Sequence, residues 1–347
     1  MRGNGFRRLM VGAAAVLTAS LSAGSASADP AVLPQARDLV GVGAETTQGL
    51  MSRLSVDYNA YLAGKGDTAS PRLYGWDATG PSPLTPKTGA DTIVRPDGAA
   101  AGIRALNTRT ATTIDYTRSD RGPQVSDPHG LDFVVLAKDA VTWSAAKDGN
   151  APAQLTQRQL SGIYTCNITN WQQIDPSLPN ATIRPYLPQA DSGTRASFLT
   201  AFGGLAVNTA CVTTGPEENE GTDPALQDPN VVFPYSVGEY LGQTVGGHAT
   251  ATQTPGALTL RSIVMNGTTL SPVTDNHLDA VFSNSPFGRA IYNVFRDADW
   301  NATDAHGTTI QDVFGPSGWI CNDPVAAADL TSYGFQPLLA CGYATLT

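Results

Sequence analysis

The sequence predicts an α/β protein with two lobes, built from mixed, mostly parallel sheets flanked by helices. Segments typical of strands alternate with segments typical of helices, and strands joined by helices normally lie parallel in one sheet. The chain has 347 residues, more than one ordinary hydrophobic core holds, so two lobes are expected. Two Pro- and Gly-rich stretches, residues 76–91 and 212–230, are typical of surface loops.

The first elements are a buried strand at "DLVGVGA" and a helix that begins at Thr46 or Thr47. Apolar residues recur in this helix at helical spacing, namely Leu50, Met51, Leu54 and Tyr58. A strand at "DTIVRP" precedes a helix at "GAAAGIRALN", and a third strand is predicted at "ATTIDYTRS".

The same alternation continues further along the chain. "LDFVVLAKDAVTW" is the most apolar strand, and "TQRQLSGIY" is a short helix with Thr156 as its N-cap. A strand at "ATIRPYL" then leads into "PQADSGTRASFL", where an extended segment turns into a helix.

Residues 1–28 have the pattern of a secretory signal peptide. Basic residues precede a short apolar run, and small residues end in Ala26-Ser27-Ala28, which predicts cleavage before Asp29. The run is too short to span a membrane, and no Cys follows it to carry a lipid anchor. We therefore expect an exported protein that is released outside the cell.

The four cysteines are expected to form two disulfides after export. Three pairings are possible, and Cys166–Cys211 with Cys321–Cys341 is favoured because each bridge closes one local loop. Zinc binding is the alternative, but the sequence has no CxxC motif and its four histidines are scattered. No metal or other cofactor is expected.

The acidic composition argues against nucleic acid as a partner. The formal net charge is −9, and no block of Lys or Arg residues offsets it.

The stretch "DSGT", Asp191 to Thr194, matches the short motif of aspartic proteases, which need a second carboxylate. The sequence has no second D-[ST]-G triplet, and Ser192 lies outside the G-x-S-x-G frame of a serine hydrolase. No catalytic residue is therefore predicted, and the protein is not expected to be an enzyme.

The same stretch fits the N-terminus of a helix that binds an anion. Ser192 can cap the helix, and the N–H groups of Gly193, Thr194 and Arg195 have no acceptors within it. These donors and the helix dipole favour a negative charge, although an ordinary capped helix is the alternative.

Comparable turns occur earlier in the chain. "GVGAETTQG" contains Thr46 and Thr47, "RPDGAAAGI" contains Ala99 and Ala100, and "YTRSDRG" ends a strand with Asp120. Ligands of open α/β sheets bind where such turns meet, at the carboxyl ends of parallel strands.

In order, these turns resemble those of the phosphate-binding proteins of ABC importers, a branch of the periplasmic-binding-protein superfamily. The similar segments are "LVGVGAETTQGLMSRLSVDYN", "DGAAAGIRAL", "IDYTRSDRG", "LSGIYTCNITNWQQI", "ADSGTRASF", and "ENEGTD" with the following "VVFPYSVGEY". The resemblance covers about residues 38–240, and "LYGWDATGP" and "RPDG" are similar to a secreted actinobacterial branch.

The resemblance implies a two-lobed, class II periplasmic-binding-protein-like fold with hinge crossings near Val135–Lys138 and Ala290–Val294. Lobe I would comprise residues 29–135 and 290–347, and lobe II residues 136–289. The ligand-binding residues that match the family are Thr46 or Thr47, Ala100 through its backbone, Asp120, Ser192, Gly193 and Thr194.

The resemblance makes Asp120 the residue that selects the ligand. Its carboxylate accepts the proton of hydrogen phosphate. Sulfate has no proton to donate, so its binding free energy is less favourable by about 1–3 kcal/mol. The chain departs from the family at Ala99 and Ala100, where Ser is usual, and at Pro188, where Arg is common. Arg195 offers partial charge compensation.

For function, the resemblance implies a monomeric extracellular solute-binding protein that captures phosphate or a similar small anion for an ABC permease. The alternative keeps the fold in a released scavenger, a sensor or a surface interaction module that has no transport role.

Overall fold

The computed structural model describes Met1 and residues 29–347; apart from Met1, the predicted signal peptide lies outside the described residues. Strands and helices alternate here, and the mixed α/β class is confirmed. The strands are β1 (Leu39–Gly43), β2 (Leu73–Gly75), β3 (Tyr116–Ser119), β4 (Leu131–Ala146), β5 (Gln154–Thr156), β6 (Arg184–Leu187), β7 (Thr213–Thr214), β8 (Val231–Ser236), β9 (Leu258–Leu260), β10 (Ser262–Met265), β11 (Thr268–Leu270), β12 (Val273–Thr274), β13 (His277–Leu278), β14 (Gly288–Arg296) and β15 (Ala344–Leu346). The α-helices are α1 (Gln48–Gly64), α2 (Ala99–Thr108), α3 (Gln157–Tyr164), α4 (Gly193–Ala201), α5 (Val237–Thr244), α6 (Ala280–Ser283), α7 (Asp297–Trp300), α8 (Ala305–Phe314), α9 (Trp319–Asn322) and α10 (Pro324–Ser332).

The main sheet has the strand order β2-β1-β3-β14-β4-β8-β6-β7, with β15 and β9 also paired to β4. Its parallel pairs lie towards the two ends, where β1 joins β2 and β3, and β6 joins β7 and β8. Between them, β14 is antiparallel to β3 and β4, and β4 is antiparallel to β8. Two parallel units are thus joined by a central antiparallel pair.

The two central strands run from one unit to the other. β4 pairs with β14 along nine residues of the latter, and the register shifts between Ile291 and Tyr292. The hinge crossings predicted near residues 135–138 and 290–294 fall on these two strands. The lobe boundaries themselves stay a prediction.

Two large hydrophobic cores lie on the two units. One contains the predicted apolar face of α1, Leu50, Met51, Leu54 and Tyr58, packed with residues of α8, α9 and α10. The other surrounds Trp143, Trp171 and Phe198, which are fully buried. Each unit therefore buries a core of its own, as expected for a chain of this length.

Both favoured disulfides are present, Cys166–Cys211 and Cys321–Cys341. The described residues contain no group of three or more His, Cys, Asp or Glu side chains that could hold a metal ion. Among them, no helix combines the length and the apolar character needed to cross a membrane.

One detail of the sequence interpretation is wrong. The segment 91–96 is not a strand: Ile93 forms only a single bridge with Leu84. The two stretches predicted as surface loops also carry fully buried charges. Lys87 is 1% exposed and pairs with Asp115 at 2.7 Å, and Glu218 is 0% exposed. Polar residues become buried here because side chains from distant strands and helices supply their hydrogen bonds.

Candidate functional site

Three of the predicted ligand-binding residues lie in direct contact. The hydroxyls of Thr46 and Thr194 each donate a hydrogen bond to Asp120 Oδ2 at 3.0 Å, and the two Oγ1 atoms are 3.3 Å apart. These residues come from the turn before α1, the end of β3 and the first turn of α4. All three are 0% exposed, so the structure brings together groups that are 74 or more residues apart in sequence.

Ser192 and Gly193 shape the start of α4 next to Asp120. Ser192 is the N-cap, and its Oγ accepts a hydrogen bond from the Arg195 N–H at 3.0 Å. A Cβ atom on Gly193 would lie 1.9 Å from Asp120 Oδ1, so only glycine allows the carboxylate to approach the helix this closely.

The other predicted residues lie outside this contact. The Ala100 N–H donates to the Asp191 backbone carbonyl at 3.1 Å, which joins the start of α2 to the turn before α4. The Arg195 side chain donates to Pro188 O at 3.2 Å and to Thr214 Oγ1 at 3.3 Å. Neither acceptor belongs to Asp120, and the charge compensation expected from Arg195 stays a prediction. Thr47 is buried, and its Oγ1 has no hydrogen-bond partner among the described residues.

The cation beside Asp120 is Arg289, a residue that the sequence interpretation missed. Its Nη1 donates to Asp120 Oδ2 and its Nη2 to Thr194 Oγ1, both at 3.1 Å. Its Nε and Nη2 also donate to Asp139 Oδ2 at 3.0 and 2.7 Å. Arg289 and Asp139 are register partners on β14 and β4, so the central strand pair places this ion pair beneath α4.

The sequence contains a signal that could have identified Asp139 as a site residue. It interrupts the most apolar strand of the chain, and a charge in such a strand needs a buried partner.

Glu218 and Asn219, from the stretch 212–230, complete the cluster and were also missed. The Ser192 hydroxyl donates to Glu218 Oε2, and the Thr194 N–H donates to the same oxygen at 3.2 Å. Asn219 Nδ2 donates to Thr46 Oγ1 at 3.0 Å. A carboxylate of the chain thus accepts the donors that were predicted to bind an external anion. We define Thr46, Asp120, Ser192, Thr194, Glu218 and Arg289 as the cleft cluster.

The cleft cluster and its surroundings are strongly acidic. Burial, and next the charge of Asp120, raise the pKa of Glu218 to about 7. Burial, then Asp139, raise the pKa of Glu239 to about 8, and burial, then Glu218, raise the pKa of Glu45 well above its usual range. Protons on these carboxyl groups are therefore retained near neutral pH.

A cavity of about 950 Å³ is lined by sequence neighbours of the cleft cluster, such as Gln48 and Glu220, but by none of its six residues. Its walls come from both units: Gln48 and Tyr74 on one side, and Glu220 and Glu239 on the other. His248 and Tyr333, which also line it, stack with ring centroids 3.7 Å apart. The cavity has room for a group larger than a single oxyanion.

Comparisons with known proteins agree with this architecture. The family described as PBP superfamily domain matches residues 70–302. Among curated proteins, the phosphate-binding protein PstS of Staphylococcus saprophyticus is 34% identical over 59 residues, which cover 17% of this chain and only 18% of that protein.

Solved structures give matches over most of the chain. A Clostridium perfringens protein, described as a phosphate ABC transporter substrate-binding protein and solved with bound phosphate, has a TM-score of 0.59 at 16% identity; the match covers 87% of this chain and 99% of that one. An ABC-type phosphate transport receptor from Vibrio cholerae has a TM-score of 0.55 at 17% identity, over 86% and 99% of the two chains. At such identities the likeness shows a shared fold.

Proposed function

The chain belongs to the PBP superfamily, and we propose that it is a solute-binding protein that captures a small oxyanion, phosphate or a phosphate-like ligand, in the cleft between its lobes. The observation that carries this proposal is the meeting of Thr46, Asp120, Thr194 and Arg289 at one buried point. These groups come from separate elements, so a ligand that contacts them all favours the closed arrangement of the lobes.

The chemistry of these groups suits a protonated oxyanion. The two threonine hydroxyls and the N–H groups at the start of α4 donate hydrogen bonds, and Arg289 supplies a positive charge. The Asp120 carboxylate accepts the proton of hydrogen phosphate or hydrogen arsenate. Sulfate has no proton to offer, so we expect it to bind more weakly.

The biological setting is part of the same proposal. Residues 1–28 have the pattern of a secretory signal peptide, and two disulfides fit an oxidising compartment. The resemblance to binding proteins of ABC importers supports delivery of the anion to a permease. Fractionation of cells and medium, with N-terminal sequencing of the mature chain, tests whether the protein is exported and begins at Asp29.

Calorimetry with inorganic phosphate, arsenate, sulfate and a phosphate ester tests anion capture. Thr46→Val removes one hydroxyl of the cleft cluster and is expected to weaken phosphate binding about tenfold or more. Thr47→Val is the matched control, because the Thr47 hydroxyl has no partner among the described residues. Absence of heat and of a thermal shift with every anion, at pH 6 and at pH 8, contradicts the proposal.

A further inference from the structure

We propose that Glu218 is an internal competitor of the oxyanion: its carboxylate holds the anion-binding end of α4, and phosphate binds only by displacing it. This inference rests on the proposed function and adds to it a residue of this chain that sets affinity and specificity. It follows from where the Glu218 side chain lies and from which donors it uses.

The carboxylate of Glu218 accepts hydrogen bonds from two of the donors that the start of α4 offers an anion. The Thr194 N–H donates to Oε2 at 3.2 Å, and the Ser192 hydroxyl donates to the same atom. Helix N-termini bind carboxylates and phosphates by the same N–H groups and the same dipole. A phosphate oxygen and Glu218 Oε2 therefore cannot occupy this position together.

Only one carboxylate oxygen of Glu218 accepts a hydrogen bond from the described residues. Its Oε1 is buried without a hydrogen-bond partner among the described residues, as is Oδ1 of the neighbouring Asp120. Both residues are 0% exposed, so neither oxygen is open to bulk solvent. A buried acceptor without a donor is unfavourable, which lowers the cost of moving this side chain out of the site.

The charges around Glu218 also oppose its ionised form. Arg289 favours the ionised form, whereas four carboxyl groups from β3, the turn before α1, α5 and its own segment oppose it, namely Asp120, Glu45, Glu239 and Glu217. Burial, and next Asp120, raise the pKa of Glu218 to about 7. Competition with a phosphate dianion is thus strongest above pH 7, where Glu218 is charged, and weaker below it.

The test measures the Kd for inorganic phosphate by calorimetry in low salt at pH 6 and pH 8. Wild type is compared with Glu218→Ala, and Glu217→Ala, at the preceding position, is the matched control. We expect Glu218→Ala to bind about tenfold more tightly than wild type at pH 8, with a smaller gain at pH 6. The Glu217 side chain hydrogen-bonds with Asp97 instead of α4, so its replacement should change Kd less than twofold.

Circular dichroism checks that each variant is folded, and Glu218→Gln serves if the alanine variant is not. The glutamine keeps the size of the side chain and removes its charge, so the gain should have the same sign and the same pH trend. If wild type binds phosphate and both folded Glu218 variants bind it equally or more weakly, the inference is overturned and anion capture still stands. Absence of phosphate binding in wild type and in both variants overturns the proposed function together with the inference.

Discussion

The N-termini of α2 and α4 face each other across the cleft, and the difference between them shows how one structural element can serve two purposes. At α2, the Ala100 N–H donates to the backbone carbonyl of Asp191 at 3.1 Å. At α4, the Thr194 N–H donates to the side chain of Glu218. A carbonyl neither titrates nor leaves without moving the backbone, whereas a carboxylate can do both. The α2 end therefore suits a fixed contact between the two units, and the α4 end suits the exchangeable ligand proposed above.

The glycines at the two ends differ in the same way. Gly98 has a φ of +89°, and a Cβ atom there would lie 2.5 Å from the backbone oxygen of Asp191. A Cβ atom on Gly193 would instead meet the Asp120 side chain. One glycine lets two backbones touch, and the other lets a carboxylate reach a helix.

The largest expected effect on stability follows from removing the cation that pairs with the buried carboxylates at the α4 end. Arg289→Met leaves Asp120 and Asp139 buried without their cation, which should cost about 3–5 kcal/mol of the free energy of unfolding at pH 8. Urea denaturation measures it. Arg195→Met is the matched control, since Arg195 contacts a carbonyl and a hydroxyl but no carboxylate. Equal effects of the two substitutions would contradict the role given to Arg289.

A smaller effect is expected from disturbing the backbone contact at the α2 end. Gly98→Ala imposes both a left-handed backbone and a clash with Asp191, and should cost about 2–4 kcal/mol. Gly89→Ala is the control: its φ is +80°, but a Cβ atom there meets nothing within 4 Å. The control should cost about 1–2 kcal/mol in the same denaturation experiment. If Gly98→Ala costs no more than the control, the contact between α2 and Asp191 adds no stability.

The sequence predicted those site residues whose positions follow from local patterns. Thr46, Asp120 and the Ser192–Thr194 turn each follow a strand, and the carboxyl ends of parallel strands meet, so their convergence could be expected. The pair of Arg289 and Asp139 could not be predicted, because it depends on the register of two strands whose partners are 150 residues apart.

Glu218 was missed for a different reason. It lies in a Pro-, Gly- and Asp-rich stretch, and such composition normally indicates an exposed loop. Its burial depends on donors at the start of α4 and on Arg289 of β14, none of which is near it in sequence. Composition describes local conformation, whereas burial of this residue is decided by tertiary packing.

The smallest effect distinguishes the two helix ends by pH. The pKa of Glu218 is raised from its ordinary value of 4.5 to about 7, so the folded state holds a proton there that the unfolded state releases. The stability from this proton is fully present below about pH 4.5 and is lost as pH rises through 7, which amounts to about 1–3 kcal/mol for one buried group. Wild type should therefore have a lower Tm at pH 8 than at pH 5. Glu218→Gln should raise the Tm at pH 8 and leave it nearly unchanged at pH 5, because the glutamine cannot ionise. A Tm difference between variant and wild type that is the same at both pH values would show that folding does not raise the pKa of Glu218, and would contradict this distinction between the two helix ends.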